Sequence, residues 1–281
     1  NSNQDQLDIS YNSLKEYVDG LQKAINTKYG PWEDIGLKDD KGFFKQLNTN
    51  LLQIENEYYS TIRPKRIVPS GTSPSLGLLE KGVEYIELRS LDINPFAVAG
   101  ISEDQIRFLD VFLTYCLLCE GPEFTDREHG FYEQNFSSVV LHGQDRNLPL
   151  FNNEGSQKPL KEHLKILFSG LDTVAELLDS HPEKTGEYRG VLNKYRKVFE
   201  GEDLSLSEQM IEEMRSKKIS YFELISNLSQ KNKQFFTEKE MDFAKESYFI
   251  DQSEKSKVEH LKIERKKREP FDVFVKKYLG R

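Results

Sequence analysis

The residues with the clearest chemical potential are charged side chains that alternate along two short stretches of the chain. Glu55 and Glu57 are separated by one residue, and so are Glu87 and Arg89. Because alternate residues of a strand point to the same face of a sheet, each pair would present its charges on one surface. If the two strands are neighbours, carboxylates and a guanidinium converge on a common polar face.

Such a face suits a divalent metal ion and a phosphorylated ligand. Mg²⁺ or Mn²⁺ binds carboxylate oxygens, and Mg²⁺ keeps positions for water and phosphate oxygens. Arginine offers fork-shaped donors to a phosphoryl group, and Arg63, Lys65 and Arg66 add positive charge for a polyphosphate. From the residue pattern alone, a strand face exposed to solvent is a simpler interpretation than a metal- and phosphate-binding face, since alternating polar residues often face water.

Composition narrows the class of protein. The chain has 281 residues, of which 37% are hydrophobic and 31% charged, and its net charge is −8. These values predict a cytoplasmic, globular protein without general affinity for nucleic acid, whose binders are usually basic. No apolar run is long enough to span a bilayer, and the polar residues 1–8 do not read as a signal peptide. The first residue is not methionine, so we expect a longer protein.

The two cysteines, Cys116 and Cys119, lie in a strongly apolar stretch of residues 112–119. A C-x-x-C spacing occurs in redox pairs and in half of a zinc site. No second Cys or His pair lies nearby in the sequence. We therefore predict buried thiols in the core of a helix.

Two strands and one helix are predicted in the first third. Apolar spacing predicts a helix over residues 10–26 that ends before Gly30-Pro31. Alternation predicts a strand over 47–62, ended by Pro64, and a second strand over 83–91. In the second strand, Ile86 and Leu88 are expected to face the core.

The remainder is predicted to be mainly helical. A capping box at Ser102 and Gln105 begins one helix, and residues 124–157 look less regular, with a short strand over 139–141. After Pro159 we predict a helix over 160–178 and a long charged helix over 237–268. Three further capping boxes are predicted, pairing Ser205 with Glu208, Ser220 with Glu223 and Thr237 with Glu240. We place a boundary near 155, between a mixed α/β part (1–155) and a helical part (156–281).

Three segments resemble a known family. Residues 83–96, VEYIELRSLDINPF, are similar to a signature segment of the proteobacterial type of glutamate–cysteine ligase. Residues 52–59, LQIENEYY, followed by IRPKR at 62–66, resemble the segment that precedes it. More loosely, the E-x-R, D and N-P-F residues of 87–96 are similar to a glutamine synthetase pattern. The likeness is specific from about residue 47 to 122.

The resemblance implies a fold, a reaction and roles for single residues. The expected fold is α+β, a fragment of a glutamine synthetase-like antiparallel sheet with helices, followed by a mostly helical C-terminal region. The implied reaction is ATP-dependent ligation of glutamate, through its γ-carboxylate, to cysteine by way of an acyl phosphate, the first step of glutathione biosynthesis. The implied roles are a metal ligand for Glu87, a catalytic group for Arg89, a cysteine-binding residue for Tyr59, nucleotide phosphate ligands for Arg63 and Arg66, and further metal ligands for Glu55 and Glu57.

In this family a long N-terminal portion supplies further carboxylates and much of the glutamate site, and we find no counterpart for it here. We therefore expect this chain to need that portion as a partner and to be inactive alone. Two alternatives stay open. One is a non-enzymatic helical interaction module, which predicts that Arg89 and Glu87 do not meet Tyr59 or Glu55. The other is a related phosphoryl-transfer enzyme such as a guanidino kinase, which needs a reactive cysteine.

Overall fold

The computed structural model describes residues 7, 9–69, 71–181, 186–239, 243–266 and 268–279. Within them the chain is α+β, as predicted, with short antiparallel strand pairs among many helices. The elements in chain order are α1 (Leu14–Asn26), α2 (Gly30–Ile35), a 3-10 turn (Glu55–Glu57), β1 (Ile62–Lys65), α3 (Pro74–Lys81), β2 (Tyr85–Leu88), α4 (Glu103–Leu118), α5 (Asp126–His142), β3 (Pro149–Phe151), β4 (Gln157–Pro159), α6 (Leu160–Asp179), α7 (Glu187–Glu200), α8 (Leu206–Lys217), α9 (Tyr221–Glu238), α10 (Phe243–Arg265) and α11 (Phe271–Tyr278). They divide into two compact units, residues 1–92 with 241–281, and residues 93–240.

The first unit is built on helix α1. Ser13 caps this helix by accepting a hydrogen bond from the Glu16 amide at 3.1 Å. Its apolar face, including Val18 and Leu21, is buried against Leu78 of α3. Gly30-Pro31 does not only follow α1, as predicted, but also begins α2, because proline is well tolerated in the first turn of a helix.

The predicted strand over residues 47–62 is wrong. Most of this segment consists of bends, followed by the 3-10 turn, and the strand β1 begins only at Ile62. Side chains occupy the backbone groups that a strand ladder needs: Asn48 Nδ2 donates to the Gln53 carbonyl at 2.8 Å, and Gln53 Oε1 accepts from the Leu47 amide at 2.8 Å. The strand-based expectation that Glu55 and Glu57 share a face fails with it.

The two strands of this unit pair antiparallel. Ile62 lies opposite Leu88, and Arg63 lies opposite Glu87. Pro64 lies inside β1 instead of ending it, which an edge strand allows because one side of its backbone needs no ladder partner. The second predicted strand is confirmed with shorter bounds, but Ile86 is 45% exposed and therefore not the core residue that we expected.

The core of the second unit lies between α4, α6 and α7. Val111, Phe168, Leu171, Val174, Ala175 and Leu192 are buried together there. The capping boxes at Ser102, Ser205 and Ser220 are confirmed. Gln105 Oε1 accepts from both the Ser102 amide at 2.9 Å and Asn94 Nδ2 at 2.8 Å, so the N-P-F segment helps to begin α4.

Several local predictions for the chain after residue 110 are wrong. Residues 139–141 belong to α5 and not to a strand. Cys116 and Cys119 are exposed instead of buried. Thr237 lies in the last turn of α9, where its Oγ1 donates to the Lys233 carbonyl at 2.8 Å, and its predicted partner Glu240 lies outside the described residues. The long charged helix is shorter at both ends, as α10.

The region after residue 160 is mostly helical, as expected. Among the residues that the structure describes, no helix combines the length and the apolar character that a membrane crossing requires.

A carboxylate on α6 caps the next helix from a distance. Asp179 is buried and accepts from the amides of Tyr188 at 2.9 Å and Arg189 at 3.0 Å. The N-cap residue of α7, Gly186, has no side chain to do this. Asp179 therefore satisfies two of the amides that a helix start leaves without partners.

Replacing Asp179 by alanine should destabilise the second unit by about 1–2 kcal/mol, because both amides lose their acceptor. Urea unfolding followed by circular dichroism measures this cost. Asp172→Ala on the same helix is the control: Asp172 pairs with Arg196 at the surface at 2.7 Å, so its loss should cost at most about 1 kcal/mol. Equal stability losses in the two variants would contradict the capping role.

Candidate active site

The antiparallel register of β1 and β2 separates charged from apolar side chains. Residues directly opposite in a sheet point to the same face, so Arg63 and Glu87 share one face. Lys65 lies two residues after Arg63 in β1, and Arg89 directly follows β2, where its amide donates to the Thr61 carbonyl at 2.8 Å; by alternation both point to the same face. We call these four residues the charged face. Ile62, Pro64, Ile86 and Leu88 form the opposite, apolar face.

Glu87 lies at the centre of the charged face. Its Oε2 atom is 3.2 Å from Lys65 Nζ and 3.3 Å from Arg89 Nε. Partial burial alone would raise the pKa of Glu87, but the hydrogen-bonding and positive charge of Lys65 and then Arg89 outweigh it and hold this pKa below its ordinary value. Oε2 is shielded from solvent, and among the described residues it has ion pairs but no well-directed hydrogen bond.

Arg63 is the buried cation of this face, with only 5% of its surface exposed. Its Nε is buried and finds no hydrogen-bond acceptor in the described part of the chain. Burial and the neighbouring Tyr11 raise the pKa of Tyr17, while the positive charge of Arg63 acts to lower it, so the guanidinium lies close to that phenol. Two cations thus pair with the Glu87 carboxylate, and a third, Arg63, lies on the same face of the strand pair, an excess of positive charge that suits a polyanion.

Tyr59 lies beside this face. Its ring is 63% exposed, and the Arg89 guanidinium carbon is 5.9 Å from the ring centre, within the range of a cation–π contact. Arg89 therefore contacts Tyr59 and Glu87 together. The interaction-module alternative predicted that Arg89 and Glu87 meet neither Tyr59 nor Glu55. The contact of Arg89 with Tyr59 disfavours it, whereas Glu55 is hydrogen-bonded elsewhere, to Gln22 and Ser75.

Arg66 lies apart from the charged face. Its Nε donates to the Gly82 carbonyl, and one of its terminal nitrogens is 3.7 Å from Glu84 Oε2. Glu84 also accepts from the Ile67 amide at 3.1 Å. These contacts fasten the end of β1 to the turn before β2, which favours a structural role for Arg66 over the predicted phosphate contact.

The two carboxylates of the 3-10 turn differ in their surroundings. Glu55 is buried, and both of its oxygens accept hydrogen bonds from neutral donors. Glu57 is exposed, and its Oε2 accepts from the Gln53 amide at 2.7 Å. Among the described residues, no three His, Cys, Asp or Glu side chains cluster closely enough to hold a metal ion. The structure therefore does not bring the predicted metal ligands Glu55, Glu57 and Glu87 together in one cluster among the described residues.

Sequence reasoning missed the aromatic residues that support this face. Tyr11 Oη contacts Ser60 Oγ at 2.9 Å and the Ile62 carbonyl at 2.8 Å. The ring of Tyr17 lies between those of Tyr11 and Tyr58, with centres 5.2 and 6.3 Å away, and burial raises the pKa of Tyr58. No local pattern joins Tyr11 and Tyr17 to residues some fifty positions later, so only tertiary structure reveals these contacts.

Comparison with known proteins adds three similarities. Residues 1–139 match the family model described as glutamate–cysteine ligase. The chain is 47% identical over 216 residues to a curated glutamate–cysteine ligase of Baumannia cicadellinicola, an alignment that covers 76% of this chain and 41% of the relative. A crystal structure of the Francisella tularensis glutamate–cysteine ligase in complex with AMP matches 99% of this chain and 55% of that one, with 30% identity and a TM-score of 0.89.

A more distant structure is similar in fold alone. The bifunctional glutathione synthetase of Pasteurella multocida matches 82% of this chain and 25% of its own, with 17% identity and a TM-score of 0.51. The chain therefore spans about half the length, or less, of the proteins that it resembles.

The low pKa of Glu87 is predicted to depend on its two cationic neighbours. Lys65→Gln or Arg89→Gln should raise this pKa, because each removes a charge that stabilises the carboxylate. Because the folded-state pKa of Glu87 is depressed, its carboxylate stabilises the fold at pH values above the unfolded-state pKa. This stabilisation is lost as the pH falls through the folded-state pKa. Each variant brings the two pKa values closer together and should therefore reduce the loss of stability over this acidic pH range.

A pH titration of the glutamate side-chain carbons by NMR measures the pKa directly. Lys81→Gln is the matched control, since it removes an exposed lysine from α3 without changing the residues around Glu87. An unchanged titration of Glu87 in both Lys65→Gln and Arg89→Gln would show that these ion pairs do not set its pKa.

Proposed function

Because the chain belongs to the glutamate–cysteine ligase family, we propose that it forms one wall of an active site that joins L-glutamate to L-cysteine with ATP. The bond formed links the γ-carboxylate of glutamate to the cysteine amine, as in the first step of glutathione biosynthesis. One observation carries the proposal: Tyr59, Arg89 and Glu87 lie together on the part of the chain that matches the family model. The predicted cytoplasmic location agrees with a need for ATP.

The proposed chemistry has two steps. The γ-carboxylate oxygen attacks the terminal phosphorus of ATP, forming an acyl phosphate and releasing ADP. The cysteine amine then attacks the acyl carbon, the amide forms, and phosphate leaves as the amine loses a proton. Neither step needs a covalent enzyme intermediate, so positioning and charge neutralisation are the main demands on the protein.

The charged face meets these demands. Arg89, held by Glu87 and the Tyr59 ring, is the proposed group that stabilises the phosphoryl group during transfer. Arg63 supplies a buried positive charge for nucleotide phosphates, and Lys65 adds a second one. Tyr59 keeps an exposed phenol, and we propose that its hydroxyl donates to the carboxylate of cysteine.

Glu87 fits a metal-binding role, although it is one ligand of an incomplete set. Its Oε2 is buried and lacks a well-directed hydrogen bond among the described residues, but it pairs with Lys65 and Arg89, so a metal ion at this oxygen would displace these two cations. A bound Mg²⁺ or Mn²⁺ would neutralise charge on the phosphates. Magnesium needs few protein carboxylates because phosphates and water complete its shell. Glu57 stays a predicted further ligand.

The rest of the active site is proposed to come from the portion of the family's length that this chain does not span. The alignment covers 41% of one relative and the structure 55% of another. A guanidino kinase is not favoured: Cys116 is exposed, but partial desolvation by its surroundings and then the neighbouring Cys119 raise the pKa of its thiol, which disfavours a reactive thiolate.

A polypeptide that holds this chain together with the remaining part of the family's length should form γ-glutamylcysteine only with glutamate, cysteine, ATP and Mg²⁺ present. The 281-residue chain alone should show no turnover, because its carboxylate set is incomplete. Product is measured by mass spectrometry, and ADP release by a coupled assay. Full activity of the 281-residue chain would refute the shared site, and inactivity of the longer polypeptide would refute the function.

Glu87→Gln in the longer polypeptide should lower kcat by about 10²-fold or more, the size expected when one charge-stabilising group of a transition state is lost. Thermal unfolding should show only a small loss of stability, because the two ion pairs removed are partly exposed to solvent. Glu33→Gln, an exposed glutamate of α2, is the control and should keep wild-type turnover. Wild-type kcat in Glu87→Gln would remove Glu87 from the reaction.

A further inference from the structure

Glu55 is a buried carboxylate that binds three separate parts of the first unit together. Its Oε1 accepts from Gln22 Nε2 at 2.8 Å, from Ser75 Oγ at 2.6 Å and from Ser73 Oγ. Its Oε2 accepts from the Ser75 amide at 2.8 Å. With 5% of its surface exposed, Glu55 is satisfied by neutral donors from α1 and from the start of α3.

The position of this carboxylate explains how it tolerates burial. Ser75 is one of the first residues of α3, and the amides at the start of a helix lack internal partners. The N-terminal end of a helix carries partial positive charge, which favours a carboxylate. Ser73, the N-cap residue, does not cap the helix with its own side chain, so Glu55 supplies the acceptor instead.

The segments held by Glu55 are those that carry the proposed site. Glu55 begins the 3-10 turn, and Tyr59 follows four residues later, before β1. At its other end α3 leads through Gly82 into β2, which carries Glu87 and then Arg89. Arg66, directly after β1, donates to the carbonyl of Gly82 at the end of α3 and so connects β1 to the segment before β2. Glu55 thus holds in place the starting points of the two segments that carry the proposed site: the 3-10 turn that leads to Tyr59 and β1, and helix α3 that leads to β2.

We infer that Glu55 is a positioning residue of this site, which holds Tyr59 and the charged face in register by clamping the N-terminus of α3 to the 3-10 turn. The inference rests on the proposed function for its catalytic consequence, but its structural part does not. It differs from the metal-ligand role that the sequence pattern suggested for Glu55. The two roles predict different responses to magnesium and to loss of Ser75 Oγ.

Hydrogen exchange tests the structural part in the 281-residue chain. Glu55→Gln places an amide donor against the Ser75 amide and removes a charged acceptor, so amides of residues 59–66 and 85–89 should exchange about tenfold faster or more. Ser75→Ala, which removes only one hydroxyl donor, should give a smaller increase in the same segments. Glu80→Gln, an exposed glutamate of the same helix, should change nothing there.

Unchanged exchange of 59–66 and 85–89 in Glu55→Gln would overturn the inference. If Glu55→Gln fails to fold, Ser75→Ala still decides it, since faster exchange confined to these two segments supports the clamp and unchanged exchange refutes it. This experiment needs no turnover. An inactive wild-type protein would therefore refute the proposed function but would leave the structural role of Glu55 at the N-terminus of α3 unaffected.

Kinetics in the longer polypeptide test the catalytic part. Glu55→Gln should raise KM for cysteine and lower kcat/KM by about tenfold, while the Mg²⁺ concentration for half-maximal rate shifts less than twofold. Ser75→Ala should have less effect in the Glu55→Gln background than in wild type, because the two residues act through one contact. A tenfold or larger shift in the Mg²⁺ requirement, or additive effects of the two substitutions, would contradict positioning.

Discussion

The direct opposition of Arg63 and Glu87 across two four-residue strands is the constraint on which the proposed site depends. Burying a guanidinium is costly unless charge and hydrogen bonds compensate for lost water. Here Arg63 acts on the phenol of Tyr17, and the register sets it opposite Glu87, whose Oε2 pairs with Lys65 and Arg89. A slip of one residue in the pairing of the strands would move every charged side chain of one strand to the apolar face. The charged face therefore forms only in this register.

A two-stranded sheet is only marginally stable by itself, so this register needs support from outside the strands. Helix α1 gives it through the buried Tyr17, Val18 and Leu21, and α3 through Leu78. Glu55 joins α1, α3 and the 3-10 turn by hydrogen bonds. The geometry of the proposed site is therefore held by a small apolar core and one satisfied buried carboxylate, and Tyr59 lies exposed beside it.

The parts of the structure with local signals were predictable. Capping boxes at Ser102, Ser205 and Ser220 are local hydrogen-bond patterns, and strand β2 followed from alternation. The strand predicted over 47–62 failed because side-chain amides of Asn48 and Gln53 compete for the backbone. The contact of Tyr59 with Arg89 depends on how β2 pairs with β1, and the cap from Asp179 depends on helix packing; neither follows from spacing alone.

We propose that Glu87 binds the metal ion that accompanies the nucleotide, and paramagnetic NMR tests this proposal most directly. A longer polypeptide that contains this chain is labelled with ¹³C at the glutamate side-chain carbons and titrated with Mn²⁺ and ATP. Mn²⁺ broadens resonances of nearby nuclei steeply with decreasing distance. The resonance of Glu87 should disappear first, before those of the exposed Glu33 and Glu80. Broadening of Glu87 no greater than that of Glu33 and Glu80 would contradict the account.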